Sequence, residues 1–102
     1  MNNLIKIAII GLGQVGNYLY NELKIKQKDI ELKTEKKIKI VAISAKSKNK
    51  KRKFKIDKRI FYSNPLKIIN EKPDIIFEVI GQSDGISKRI VELALKNKIH
   101  VI

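Results

Sequence analysis

Two hydrophobic rhythms alternate along the chain. Leu4 to Ile10 is a nearly continuous apolar run, the pattern of a buried strand. A glycine-rich turn follows, and then Val15, Leu19 and Leu23 recur every fourth residue. That spacing predicts a helix starting near Gln14 and fading around Lys26 to Lys28. Asp29 to Lys37 carries charges of both signs and reads as a surface connection. Ile38 to Ser44 is rich in β-branched residues and predicts a second strand.

The same alternation continues to the last residue. Phe54 to Ile60 shows no period, and Ile60-Phe61-Tyr62 suggests a short third strand. Ser63-Asn64-Pro65 combines polar cap candidates with a proline suited to a first helical turn. Leu66, Ile68 and Ile69 give that short helix its buried side, and Lys72-Pro73 closes it. Asp74 to Ile80 is a fourth strand, almost wholly apolar, as a parallel strand covered on both faces should be. Glu78 interrupts it; the expectation is a structural hydrogen bond, ahead of contact with a ligand. Ser83 or Asp84 is expected to cap the next helix, whose stripe is Ile86, Ile90, Leu93 and Ala94, widened by Val91 and Leu95. Asn97-Lys98 ends it, and Ile99 to Ile102 is a fifth strand. Strands alternating with helices imply an α/β fold, a doubly wound parallel sheet with helices on both faces, in one domain over residues 1–102.

The chemistry sits in the first turn. Gly11-Leu12-Gly13-Gln14-Val15-Gly16 has glycine spaced Gly-x-Gly-x-x-Gly between a strand and a helix, the context that makes this motif informative. Gly11 permits a sharp exit from the strand. Gly13, without a Cβ, lets a pyrophosphate approach the backbone. Gly16 lets helix and strand pack closely. The helix start then offers unpaired N–H groups and a partial positive charge. A dinucleotide with a pyrophosphate is the ligand this pattern fits.

The end of the second strand bears on which dinucleotide. An acidic residue there would hold the ribose hydroxyls of NAD. This chain has Ser44-Ala45-Lys46, followed by Lys48, Lys50, Lys51, Arg52 and Lys53. A hydroxyl and a lysine suit the 2′-phosphate of NADP better, so NADP is slightly favoured over NAD. Lys48 to Lys53 is expected to be a solvated, self-repelling loop.

Composition narrows the rest. With 102 residues, 43% of them hydrophobic, the chain can build one small core. It has no cysteine, so neither a disulfide frame nor a thiolate metal site is available. Its one histidine, His100, falls in a predicted strand and is expected to be a packing or surface residue. No metal site is expected. No apolar run approaches the ~20 residues that span a bilayer, and no signal peptide is visible, so the expectation is a cytoplasmic protein. The formal charge of +13 is spread along a lysine-rich chain with no nucleic-acid reading motif, which argues against nucleic acid as the partner.

Four stretches in order resemble the amino-terminal, nucleotide-binding part of homoserine dehydrogenase: Ile7 to Gly16, Val41 to Lys46, Pro73 to Gly81, and Val91 to Ile102. The resemblance covers nearly the whole chain. It implies a Rossmann-like fold and the reversible, NAD(P)-dependent interconversion of L-homoserine and L-aspartate 4-semialdehyde, toward threonine and methionine. It implies that Gly11, Gly13, Gln14, Val15 and Gly16 hold the pyrophosphate, that Ser44, Ala45 and Lys46 face the adenosine ribose, and that Ile80 and Gly81 border the ribose and nicotinamide side. Departures are Gln14 for the usual threonine, Gln82 for a frequent glycine, and Lys46 for a common arginine. The family continues past the fifth strand into a substrate and dimerisation domain that carries its catalytic lysine. The resemblance therefore implies a fragment without catalytic residues, one that binds cofactor but is itself inactive. The longer protein would bind homoserine or aspartate semialdehyde and form a homodimer or homotetramer. Competing readings are a standalone NAD(P)-binding or sensing module, the cofactor domain of another amino-acid dehydrogenase such as aspartate dehydrogenase, and a basic nucleic-acid binder.

Overall fold

The computed structural model describes residues 4–80 and 85–102. Five strands form one sheet: β1 (Leu4–Ile10), β2 (Lys37–Ser44), β3 (Phe61–Tyr62), β4 (Ile75–Glu78) and β5 (His100–Val101). Their order is β3-β2-β1-β4-β5, with every neighbouring pair parallel. Two helices, α1 (Gln14–Thr34) and α2 (Ile86–Lys96), and a 3-10 segment (Pro65–Glu71) make the crossovers. The chain builds outward from β1 through β2 to β3, then returns to the other side of β1 for β4 and β5. The doubly wound, Rossmann-like sheet expected from the sequence is the observed fold.

Side-chain alternation on β1 explains the two layers. Ile7 and Ile9 face α1, in a cluster with Tyr20, Leu19, Leu23 and Ile30. Ala8 and Ile10 face the other way, with Ile68, Ile90 and Ala94. The register between β1 and β2 slips once: Ile7 pairs with Ile40, but Ala8 with Ala42. Val41 is the extra residue, a β-bulge. It breaks the two-residue period, so Ile38, Ile40 and Ile43 all belong to the α1 side.

The first helix departs from its expected bounds. It runs on to Thr34, so Asp29 to Thr34 is helical and is not a surface connection. Its buried face passes through Gly16, Tyr20, Leu23, Gln27 and Ile30. Val15 lies off that face and is 68% exposed. The expected stripe was one residue out of phase at its start and was lost at Gln27, a polar residue inside it. Gln27 fits there because its Nε2 donates to the Ile38 carbonyl at 2.6 Å. Surface i, i+4 pairs, half-buried Glu22 with Lys26 and exposed Asp29 with Lys33, add modest support. Glu35, in the left-handed region at φ 59°, ends the helix.

The later elements fall close to their expected places. Asn64 caps the 3-10 segment, its side chain accepting from the Leu66 N–H at 3.0 Å, with Pro65 first in the turn. Lys72 closes it at φ 51°. Tyr62 donates its hydroxyl to Glu71, which raises the tyrosine's pKa above its ordinary value. The expected caps Ser83 and Asp84 lie outside the described residues; Gly85, at φ 92° and without a side chain, holds the cap position of α2. Glu78 Oε1 accepts from the Ile80 N–H at 2.9 Å, the structural hydrogen bond expected of it. His100 is exposed. No helix among the described residues is long and apolar enough to cross a membrane.

Candidate functional site

β1 and β4 lie side by side, yet the helices that follow them in the chain, α1 and α2, pack on opposite faces of the sheet. A crevice opens at their carboxyl ends, the place where open parallel sheets bind ligands. The glycine turn enters it from β1, and the end of β2 forms the neighbouring wall.

Each glycine of the turn is held for a different reason. Gly11 sits at φ 99°, and a Cβ there would come within 2.9 Å of the Val79 carbonyl. Its N–H donates to the Ser44 carbonyl at 2.7 Å, which ties the turn to the end of β2. Gly16 is closed in further still: a Cβ would stand 1.8 Å from the Gly11 carbonyl oxygen. That contact lets α1 begin directly against the strand it leaves. Gly13 differs from both. Its φ of −70° is ordinary, and a Cβ there would meet nothing within 4 Å. Chain packing therefore does not demand glycine at 13; the space above it is open.

That space faces the start of α1. The Asn17 N–H makes the first intrahelical bond, to the Gly13 carbonyl at 2.9 Å. The N–H groups of Gln14, Val15 and Gly16 precede it and so lack the acceptor four residues back that a helix interior supplies. No acidic side chain occupies the first turn, and Gly13 makes no side-chain cap. Bare amides, a helix dipole and open room above Gly13 suit an anion. The residues present thus fit a dinucleotide pyrophosphate.

The structure brings most of the expected site residues together. Gly11, Gly13, Ser44, Ala45, Lys46 and Ile80 line one cleft of about 350 Å³. Gly13 is shared with an adjoining cleft of about 540 Å³, where Gln14 and Val15 lie. Gly16 lines neither; its contribution is the close packing just described. Gly81 lies outside the described residues. Pro65, Val79 and Ile86 complete the apolar side of the first cleft, with Ser63 beside them.

Sequence reasoning missed the inner part of the basic segment. Lys50 and Arg52 line both clefts. Arg52 is not a freely solvated side chain: its Nε donates to the Leu12 carbonyl at 3.3 Å and its Nη2 to the Ser47 carbonyl at 2.6 Å. Its Nη1 reaches the carbonyls of Lys48 and Lys50 at 3.5 and 3.2 Å. Asn17, beneath the turn, pairs with both backbone groups of Phe54. The signal in the sequence was Arg52 itself, the one arginine in a run of lysines. A planar fork of donors can bind several carbonyls where an ammonium cannot.

Comparison with known proteins agrees with this geometry. The model of an oxidoreductase family with an NAD-binding Rossmann fold, Gfo/Idh/MocA, matches residues 5–102. No curated protein sequence matches the chain significantly. Among solved structures, a homoserine dehydrogenase from S. aureus at pH 7.5 superposes with a TM-score of 0.86 at 32% identity, over 96% of this chain and 25% of that one. The S. aureus structure at pH 8.5 gives 0.86 at 31% identity, over 99% and 25%. A homoserine dehydrogenase from Thiobacillus denitrificans, at 23% identity and a TM-score of 0.74, shares the fold over 96% of this chain and 22% of its own. The chain thus spans about a quarter of the length of these neighbours.

Proposed function

Because the chain belongs to the Gfo/Idh/MocA oxidoreductase family with its NAD-binding Rossmann fold, we propose that it is the dinucleotide-binding part of an NAD(P)-dependent homoserine dehydrogenase. One observation carries the cofactor assignment: Gly16 is forced by the Gly11 carbonyl, while Gly13 is left with open space over unpaired helix-start amides. Packing accounts for the first glycine, and a ligand's approach accounts for the second. The substrate assignment is supported by the 32% identity to the S. aureus homoserine dehydrogenase.

Gly11, Gly13, Gln14, Val15 and Gly16 would form the pyrophosphate cradle. Ser44, Ala45 and Lys46 would border the adenosine ribose, and Ile80 with Gly81 the nicotinamide side. A bound nicotinamide supplies or accepts hydride, and the protein around it binds and orients the ring. Apolar walls at Pro65, Ile80 and Ile86 would keep water from the ring and base faces. We assign no catalytic residue within these 102 residues. Homoserine and aspartate semialdehyde would meet the cofactor in a longer protein, with the substrate domain joined to this one.

NADP is favoured over NAD. Lys46 and Lys50 line the cleft beside Ser44, and among the described residues no carboxylate side chain lines it to claim the ribose hydroxyls. Calorimetric titration of the 102-residue chain with NADPH and with NADH tests the proposal. The expected result is saturable binding of both, tighter for NADPH, with no oxidation of homoserine by this chain alone. A folded chain that binds neither at millimolar concentration would overturn it.

A further inference from the structure

Arg52 is the only residue of the segment 46–53 whose side chain bonds back to the segment's own carbonyls. Three acceptors, on Ser47, Lys48 and Lys50, are in the segment. The fourth, on Leu12, is in the glycine turn. Arg52 therefore curls the segment on itself and fastens it to the turn. Six of its eight residues carry positive charge. Left alone, such a run would extend by self-repulsion. Drawn in by carbonyl dipoles, it presents Lys46 and Lys50 at the first cleft.

We propose that Arg52 is a specificity-determining positioning residue: its guanidinium gathers the carbonyls of Leu12, Ser47, Lys48 and Lys50 and so holds Lys46 and Lys50 where a 2′-phosphate would bind. The proposal rests on the NADP reading above. Four of its five N–H donors are spent on carbonyls, so Arg52 acts chiefly through the lysines it places. Lysine at 52 would keep the charge but could not span four divergent acceptors.

The test compares Arg52→Lys with the parent chain in two ways. Without nucleotide, limited trypsin digestion reads the segment directly, because lysine at 52 leaves the cleavage sites unchanged. Cleavage within residues 46–53 should speed up at least fivefold in the variant. With nucleotide, the ratio of NADH to NADPH dissociation constants should fall at least fivefold, because the loss of NADPH affinity exceeds any loss of NADH affinity. Lys50→Gln should lower that ratio too, without loosening the fold. If Arg52→Lys leaves both digestion and ratio as in the parent, the positioning role is overturned. A ratio that survives Lys50→Gln and Lys46→Gln together would overturn it as well. A parent chain that binds no dinucleotide refutes the functional reading instead, and the digestion result still decides whether Arg52 holds the segment.

Discussion

Asn17 and Phe54 hold each other by a reciprocal pair of hydrogen bonds. Asn17 Nδ2 donates to the Phe54 carbonyl at 2.9 Å, and the Phe54 N–H donates to Asn17 Oδ1 at 2.9 Å. A side-chain amide thus does the work of a strand neighbour, at a residue only 4% exposed on the first turn of α1. Three residues on, the Tyr20 hydroxyl accepts from the Asp57 N–H at 3.0 Å. The connection from β2 to β3 has little ladder of its own, and α1 supplies these anchors. They fix the far end of the basic segment, while Ser44 fixes its beginning against Gly11.

Replacing Asn17 by alanine should be costly. Both backbone groups of Phe54 would lose their partner, at ~1–3 kcal/mol for a buried polar group left unpaired. We expect a loss of about 2 kcal/mol in urea unfolding, and a fall in melting temperature of roughly 10 °C for a domain this small. Asn17→Asp keeps the acceptor, removes the donor and adds a buried charge, so it should be no better. A melting temperature unchanged in both variants would show the pair to be dispensable.

The glycines at 13 and 16 should separate binding from folding. Gly13→Val meets no protein atom at Cβ and needs no unusual φ. It should fold with a stability loss of about 1 kcal/mol or less, the scale of a poorer helix cap. Dinucleotide affinity should disappear, because the side chain fills the pyrophosphate approach. Gly16→Ala should do the reverse damage: a Cβ 1.8 Å from the Gly11 carbonyl must push the helix off the strand. We expect destabilisation of about 3 kcal/mol or more, the upper range for overpacking. Unchanged nucleotide affinity in Gly13→Val, measured calorimetrically, would remove the cradle.

Charge reversal at Lys46 tests the cofactor preference. Lys46 is exposed at the rim of the cleft, so Lys46→Glu should leave the fold intact. A lost charge-assisted hydrogen bond is worth ~1.5–3 kcal/mol, which is about tenfold or more in NADPH affinity. NADH binding should change far less, since it lacks the 2′-phosphate. Clear NAD preference in the parent chain would defeat the expectation before any variant is made.

These residues also show what was legible in the chain. β1, the turn and the start of α1 could be read because one rule, apolar run then glycine then period, covered them. At the turn's three glycines the structure shows close packing at Gly11 and Gly16 and open space at Gly13. The end of α1 was hidden because its buried stripe runs through Gln27, whose fitness depends on a carbonyl eleven residues ahead. Asn17 and Arg52 were hidden for a related reason. Each spends its polarity on backbone groups far along the chain, at Phe54 and Leu12, and periodicity carries no trace of such pairings. The bulge at Val41 was equally silent, since an apolar run reads the same with or without a register slip.

Asp57 ties the acid limb of stability to the same region. Its carboxylate accepts from the Arg59 side chain at 3.0 Å and from the Arg59 N–H at 3.0 Å, capping the turn Lys58–Ile60. The Arg59 side chain first, and its backbone N–H second, pull the Asp57 pKa below the ordinary 3.8. A carboxyl with a depressed folded-state pKa binds its proton more readily in the unfolded chain. Its contribution to stability is therefore complete above the unfolded pKa and is lost as pH falls through the folded one. Asp57→Asn keeps the shape but cannot ionise. Its unfolding midpoint in urea should fall less steeply than that of the parent between pH 5 and pH 3, a window around the ordinary carboxylate pKa of ~4. At neutral pH the variant should be slightly the weaker of the two. Parallel curves for parent and variant across that window would mean that the Asp57–Arg59 contact does not contribute to folding.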